Sequence, residues 1–101
     1  MNVTTRFTWD AAKAKANERR RGIQFETARE VFDDPNQVVT ENYFVSEQGE
    51  QRYQIIGMTK GLVLLLVVFV NHTAPGIETI HIISARKADK YEERIYAATQ
   101  A

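Results

Sequence analysis

The sequence predicts an α+β fold of order β-α-α-β-β-β-β-α, with helices packed on a central antiparallel sheet. Three observations predict it. Apolar residues recur at helical spacing near the start and near the end of the chain. Runs rich in β-branched and aromatic residues, joined by short turns, fill the interval between. One of these runs, Leu62 to Val70, is apolar at every position, as a central strand covered on both faces would be. Helices grouped before and after a meander argue for a helix layer on a sheet rather than for alternating βαβ units.

The elements follow in order. Val3 to Trp9 alternates polar with β-branched or aromatic residues and reads as a strand. Asp10 is a suitable N-cap for a helix ending near Arg21, where Gly22 stops it. Its apolar residues are all alanines, so its buried stripe is thin, and Lys13, Asn17 and Arg20 share one polar face. Phe25, Ala28, Val31 and Phe32 give a second helix over 25–32, stopped by Asp33-Asp34-Pro35-Asn36. Strands follow at Val38 to Val45, Arg52 to Thr59, Leu62 to Val70 and Ile77 to Ala85. Their joints are Ser46 to Glu50, Lys60-Gly61 and Asn71 to Gly76. Ala88, Tyr91, Ile95 and Ala98 then mark a C-terminal amphipathic helix.

The 101 residues suit a single domain, 1–101, with 44% apolar and 26% charged residues, the balance of an ordinary globular chain. The absence of cysteine excludes thiolate catalysis, cysteine-ligated zinc and a disulfide framework. Two histidines, His72 and His81, are too few for a histidine-rich metal cage, so no metal and no cofactor is expected. Residues 1–6 lack the features of a signal peptide. The longest apolar run is nine residues, about half of a membrane helix. A cytoplasmic protein with no membrane segment is the expectation. No P-loop, GxGxxG, HExxH or GxSxG pattern is present.

Thirteen basic and thirteen acidic residues cancel, yet unevenly. Residues 1–29 hold seven Lys/Arg against three Asp/Glu, and residues 30–51 hold six acids and no base. A local basic surface can bind a polyanion at zero net charge, because screening over about 8 Å makes the near field decisive. A solvated surface with accidental charge blocks is the competing reading.

Strict alternation would put Glu78, Ile80, Ile82, Ser84 and Arg86 on one face of the last strand and His81 on the other. Arg52, Gln54, Ile56 and Met58 share a face of theirs. Guanidinium groups are permanently charged and fork onto phosphate oxygens, so Arg52 and Arg86 on a rigid sheet could clamp a phosphodiester. Each could instead pair with a nearby acid, for instance Glu50 or Glu92. His81 is the one ring within a regular element able to exchange protons near neutrality, although a lone strand histidine is more often structural. Glu47 and Glu50 precede Arg52 and could orient it or accept a proton.

One set of residues runs through most of the chain: Phe7-Thr8-Trp9-Asp10, Lys13, Asn17, Gly22-Ile23-Gln24-Phe25, and Ala28 with Val31-Phe32-Asp33-Asp34-Pro35. Arg52 three residues after Gly49, Gly57, Ile82-Ile83-Ser84-Ala85-Arg86-Lys87-Ala88, Glu92 and Tyr96 complete it. With this set, in this order, the chain resembles BrnT-type toxins. The resemblance implies a RelE-like fold and a metal-independent ribonuclease toxin of a type II toxin–antitoxin pair. Such a toxin cleaves RNA and inhibits translation, and a BrnA-like antitoxin that binds operator DNA neutralises it. Carried over, the functional basic residues fall on Arg52 and Arg86, with Lys13, Arg20 and Arg21 as secondary RNA-binding candidates. The chain departs from the family at two places: Arg21 stands where a histidine is usual, and His81 where an arginine is common. Transphosphorylation by the RNA's own 2′-hydroxyl fits both lines, with Arg52 and Arg86 stabilising phosphate charge and His81 exchanging protons.

Two other readings compete. The two departures favour a catalytically idle relative that only binds antitoxin and tunes its regulation. A DNA-binding protein using the basic first helix is the other, opposed by the lack of a helix-turn-helix turn and a pI of about 6.7.

Overall fold

The computed structural model describes residues 3–45 and 50–100, except for the side chains of 41–45. In chain order they form β1 (Thr4–Trp9), α1 (Ala11–Arg21), α2 (Phe25–Ala28), a 3₁₀ turn (Arg29–Asp33), β2 (Val38–Val45), β3 (Gln51–Met58), β4 (Leu64–Ala74), β5 (Ile77–Lys87) and α3 (Lys90–Ala98). The α+β order read from the sequence holds. Strands β2 to β5 form the antiparallel meander, and β1 joins its far edge in parallel to β5, giving the order β1-β5-β4-β3-β2.

Local chemistry sets the helix ends. The Asp10 carboxylate accepts from the Lys13 N–H at 3.0 Å, and Gly22 takes a left-handed φ of 71°, which closes α1. Asp89 and Glu92 form a reciprocal capping box that starts α3. The helix expected over 25–32 instead tightens after Ala28 into the 3₁₀ turn. The Asp34 N–H bonds the Val31 carbonyl at 3.2 Å, one residue short of α spacing, just ahead of Pro35.

Phe25, Ala28, Val31, Ile55, Leu65, Val67, Phe69, Ile80, Ile82 and Ala85 form the core between α1–α2 and one face of the sheet. Leu65, Leu66 and Val67 are buried in succession, so β4 is covered on both faces. Asn17, expected on a solvent face, is turned inward. Its amide donates to the Ile23 carbonyl at 2.9 Å and accepts from the Ala85 N–H at 3.2 Å. It thereby ties α1 to the part of β5 that lies beyond the end of β1.

Three strand details differ from the sequence reading. Leu62 and Val63 lie in the turn before β4, and Leu62 is 80% exposed with φ 63°. Asn71 to Thr73 extend β4 instead of forming a loop, so Pro75 and Gly76 alone turn the chain, Gly76 at φ 78°. A bulge interrupts β5: Val68 pairs with Ser84 but Phe69 with Ile82. That extra residue reverses the alternation. Ile80, Ile82 and Ala85 therefore all face the core, and Arg86 moves to the face of His81, contrary to strict alternation. The joint expected at Ser46 to Gly49, with Glu47, lies outside the described residues.

Candidate nucleic-acid interface

On the sheet face away from α2, one row of register partners crosses four strands: Thr8, His81, Val70 and Arg52. Strand spacing puts the Arg52 and His81 backbones about 10 Å apart, two strands removed. Val70, 4% exposed, floors the space between them. Lys13 reaches the same space from α1, and together they line an open depression of about 360 Å³. The structure thus brings three of the six sequence candidates, Arg52, His81 and Lys13, to one place.

The polar partners within it are unequal. His81 Nδ1 lies 2.8 Å from the Thr8 hydroxyl, and its Nε2 has no hydrogen-bond partner among the described residues. Glu50 approaches His72 Nε2 at 3.5 Å, not Arg52. Among the described residues Arg52 makes no ion pair, and its Nε is buried without a hydrogen bond. An unpaired guanidinium in a concave site is a group prepared for an external anion.

A second, smaller cleft of about 170 Å³ adjoins the first, sharing Lys13 and Ile83 with it. Arg20 and Arg21 line it, beside Ser84. All three cations are exposed and none is in an ion pair among the described residues. Lys13 and Arg20 stand about two helical turns apart, with Arg21 next to Arg20, so the three make a basic border along α1.

Arg86 does not join this cluster. It pairs with Leu66, four residues along β4 from Val70, or about 13 Å away along the strand. There both its terminal nitrogens bond the Glu92 carboxylate, each at 2.7 Å. Hydrogen bonding to Glu92 raises its pKa further, against the cost of burial. The expected convergence of Arg52 and Arg86 is therefore absent, because Arg86 is engaged in holding the start of α3. At the other end of α3, the Tyr96 hydroxyl donates to Asp34 at 2.6 Å.

A groove of similar size, about 330 Å³, opens on the opposite face between Phe7, Phe32 and Phe69. Its charged groups are Asp33 and Glu78, in contrast to the cations that line the two adjoining clefts. No group of three or more His, Cys, Asp or Glu able to hold a metal ion occurs among the described residues.

The family model described as "Ribonuclease toxin, BrnT, of type II toxin-antitoxin system" matches residues 9–92. The chain belongs to the BrnT family. The crystal structure of the Brucella abortus ribonuclease toxin, BrnT, shares the fold with a TM-score of 0.61 and 20% sequence identity, covering 87% of this chain and 100% of that one. No curated protein matches the chain. As a member of a BrnT family of type II toxins, the chain has an antitoxin protein as its implied partner. Among its described residues, no helix is long and apolar enough to cross a membrane.

Sequence reasoning did not name Thr8 among the candidates for this depression. The residue stands 73 positions from His81, and only the parallel β1–β5 pairing brings them together. The sequence signals were its place in Phe7-Thr8-Trp9-Asp10 and the alternation of Val3 to Trp9, which gives the face of Thr8 but not its neighbour.

Proposed function

We propose that this BrnT-family chain cleaves RNA at the depression between Arg52 and His81, by attack of the 2′-hydroxyl on the adjacent phosphorus. The single observation that carries this is the unpaired Arg52 guanidinium facing, across Val70, a histidine whose Nε2 is free of partners among the described residues. The Arg52 fork and the Lys13 ammonium neutralise the phosphate and the charge that builds on its equatorial oxygens. His81 Nε2 takes the proton from the 2′-hydroxyl. The new O2′–P bond forms as the P–O5′ bond breaks, the departing 5′-oxygen takes a proton from water, and the hydroxide left behind takes back the proton held on His81. The products are a 2′,3′-cyclic phosphate and a 5′-hydroxyl. Arg20 and Arg21 hold flanking phosphates in the adjoining cleft.

Arg52 and Lys13 meet the charge, His81 takes the proton and water supplies the other, so the proposed reaction is metal-independent. Loss of RNA by such cleavage inhibits translation in the cytoplasm. A BrnA-like antitoxin neutralises the toxin and carries it to operator DNA indirectly.

The test compares an RNA strand with its all-deoxy counterpart, using the purified chain and an Arg52→Ala variant, with growth on induction as a second readout. RNA cut to cyclic-phosphate ends, an intact deoxy strand, and loss of cutting and growth arrest in the variant are expected. Undiminished cutting by Arg52→Ala would remove the site.

A further inference from the structure

We propose that Thr8 is the positioning residue for His81: its hydroxyl accepts the Nδ1 proton, fixes that tautomer and leaves the Nε2 lone pair facing the depression. This rests on the proton-transfer role given to His81 above. The two residues are direct register partners across the β1–β5 pair, so the strand ladder fixes both backbones, and the Oγ1–Nδ1 separation is 2.8 Å. Which ring nitrogen carries the proton is set by the hydrogen bond the other makes. A ring that is to accept a proton at Nε2 must carry its own on Nδ1. A hydroxyl that accepts there keeps its bond when the ring gains the second proton, because Nδ1–H is a donor in both states. The reverse arrangement, a hydroxyl donating to Nδ1, leaves Nε2 protonated and breaks on protonation.

Lys13 of α1, Arg52 of β3, His72 of β4 and Glu50 face the same space, and none of them hydrogen-bonds the ring among the described residues. The tautomer therefore falls to Thr8.

The chain holds only two histidines, so ring-nitrogen NMR of the full protein gives two spin systems, and His72→Gln assigns them. With the ring neutral, the wild type is expected to show a protonated Nδ1 and a bare Nε2 at His81. Thr8→Val keeps the side-chain shape but removes the acceptor. It is expected to move the ring toward the Nε2–H tautomer and to slow RNA cleavage at least about tenfold, with Thr8→Ser restoring both. A wild-type ring protonated on Nε2, which needs no variant to observe, overturns the proposal. So do unchanged nitrogen shifts in Thr8→Val. Wild-type cleavage by His81→Asn would instead sink the proton-transfer role of His81, while the nitrogen shifts still decide that of Thr8.

Discussion

Arg52 and Arg86 stand on the same face of the sheet but in opposite circumstances: Arg52 has no ion-pair partner among the described residues, whereas Arg86 is gripped at both terminal nitrogens by Glu92. Two residues that look alike in the sequence therefore separate into one that is free to meet an anion and one that holds the fold.

Arg52→Ala is expected to lower RNA cleavage by about 10²-fold or more, the usual loss on removing a charge-stabilising donor. Its unfolding midpoint should be unchanged or slightly raised, since the buried Nε has no bond to lose. Cleavage assays beside a urea melt check both. A variant that unfolds early while cutting normally would reverse the assignment.

Arg86→Ala is expected to do the contrary. Glu92, whose side chain is only 11% exposed, would keep its carboxylate without a counter-charge. The loss should be about 1–3 kcal/mol, moderated because the Arg86 side chain is 35% exposed to screening water. Arg86→Lys keeps the charge but not the fork, and should recover only part of it. Equilibrium unfolding measures this, and any loss of cutting should track the fraction unfolded.

Much of this was legible in the sequence because it is local. Asp10 and Gly22 cap α1 through neighbours three and four residues away, and the Asp89-x-x-Glu92 spacing of a capping box stood in the chain to be read. The β5 bulge was not legible. Ile82 and Ile83 are equally apolar, and which one is passed over is decided by pairing with Val68 and Phe69 on β4. The error moved Arg86 to the wrong face. Lys13, Arg20 and Arg21 could be grouped from helical spacing, whereas their approach to His81 and Arg52 depends on where α1 lies against β5, a non-local fact.

Asp34 and Tyr96 make stability depend on pH at both extremes. Burial alone would raise the Asp34 pKa, but hydrogen bonds from the Tyr96 hydroxyl and the Met58 and Asn36 N–H groups outweigh it and hold it below the ordinary 3.8. Because the folded chain favours the carboxylate, this stabilisation is complete above the ordinary value and is lost as pH falls through the folded one. Tyr96 is pushed up to about 12 from 10.0, by burial first and then by Asp34. The folded chain favours the neutral phenol, so this contribution is complete below 10.0 and is lost as pH rises from there to about 12. Tyr96→Phe should remove the alkaline loss and cost about 1–2 kcal/mol at neutral pH, leaving Asp34 with two backbone donors. Chemical denaturation across pH tests the sign, and an alkaline fall that survives in Tyr96→Phe would contradict it.

Gly57 is needed for contact, not for backbone conformation. A Cβ there would sit 2.8 Å from Val31 Cβ and 2.9 Å from the Val31 carbonyl oxygen, where the 3₁₀ turn presses on β3. Gly57→Ala should cost about 1–3 kcal/mol. Adding Val31→Ala should recover little, because alanine keeps both the Cβ and the carbonyl oxygen that make these contacts. Thermal melts of the single and double variants decide this, and full recovery in the double variant would place the strain in the Val31 methyl groups and not in these two contacts.

The border formed by Lys13, Arg20 and Arg21 makes a prediction about salt. Each phosphate neutralised on a single strand contributes about −0.7 to the slope of log K against log salt. If all three cations contact phosphates, replacing them together by alanine should make that slope shallower by about 2. Arg86→Ala should leave it unchanged, since that charge is already met by Glu92. The binding should be measured with an oligonucleotide carrying a 2′-deoxy sugar at the scissile position, so that affinity is read without cutting. Arg20 and Arg21 lie in the last turn of α1, where cations face the negative end of the helix dipole, so the triple variant should also lose a few tenths of a kcal/mol for each of these two charges, whereas Lys13 lies in the first turn. That loss is too small to unfold the chain. An unchanged slope in a folded triple variant would detach the α1 border from the nucleic acid and confine binding to the depression around Arg52 and His81.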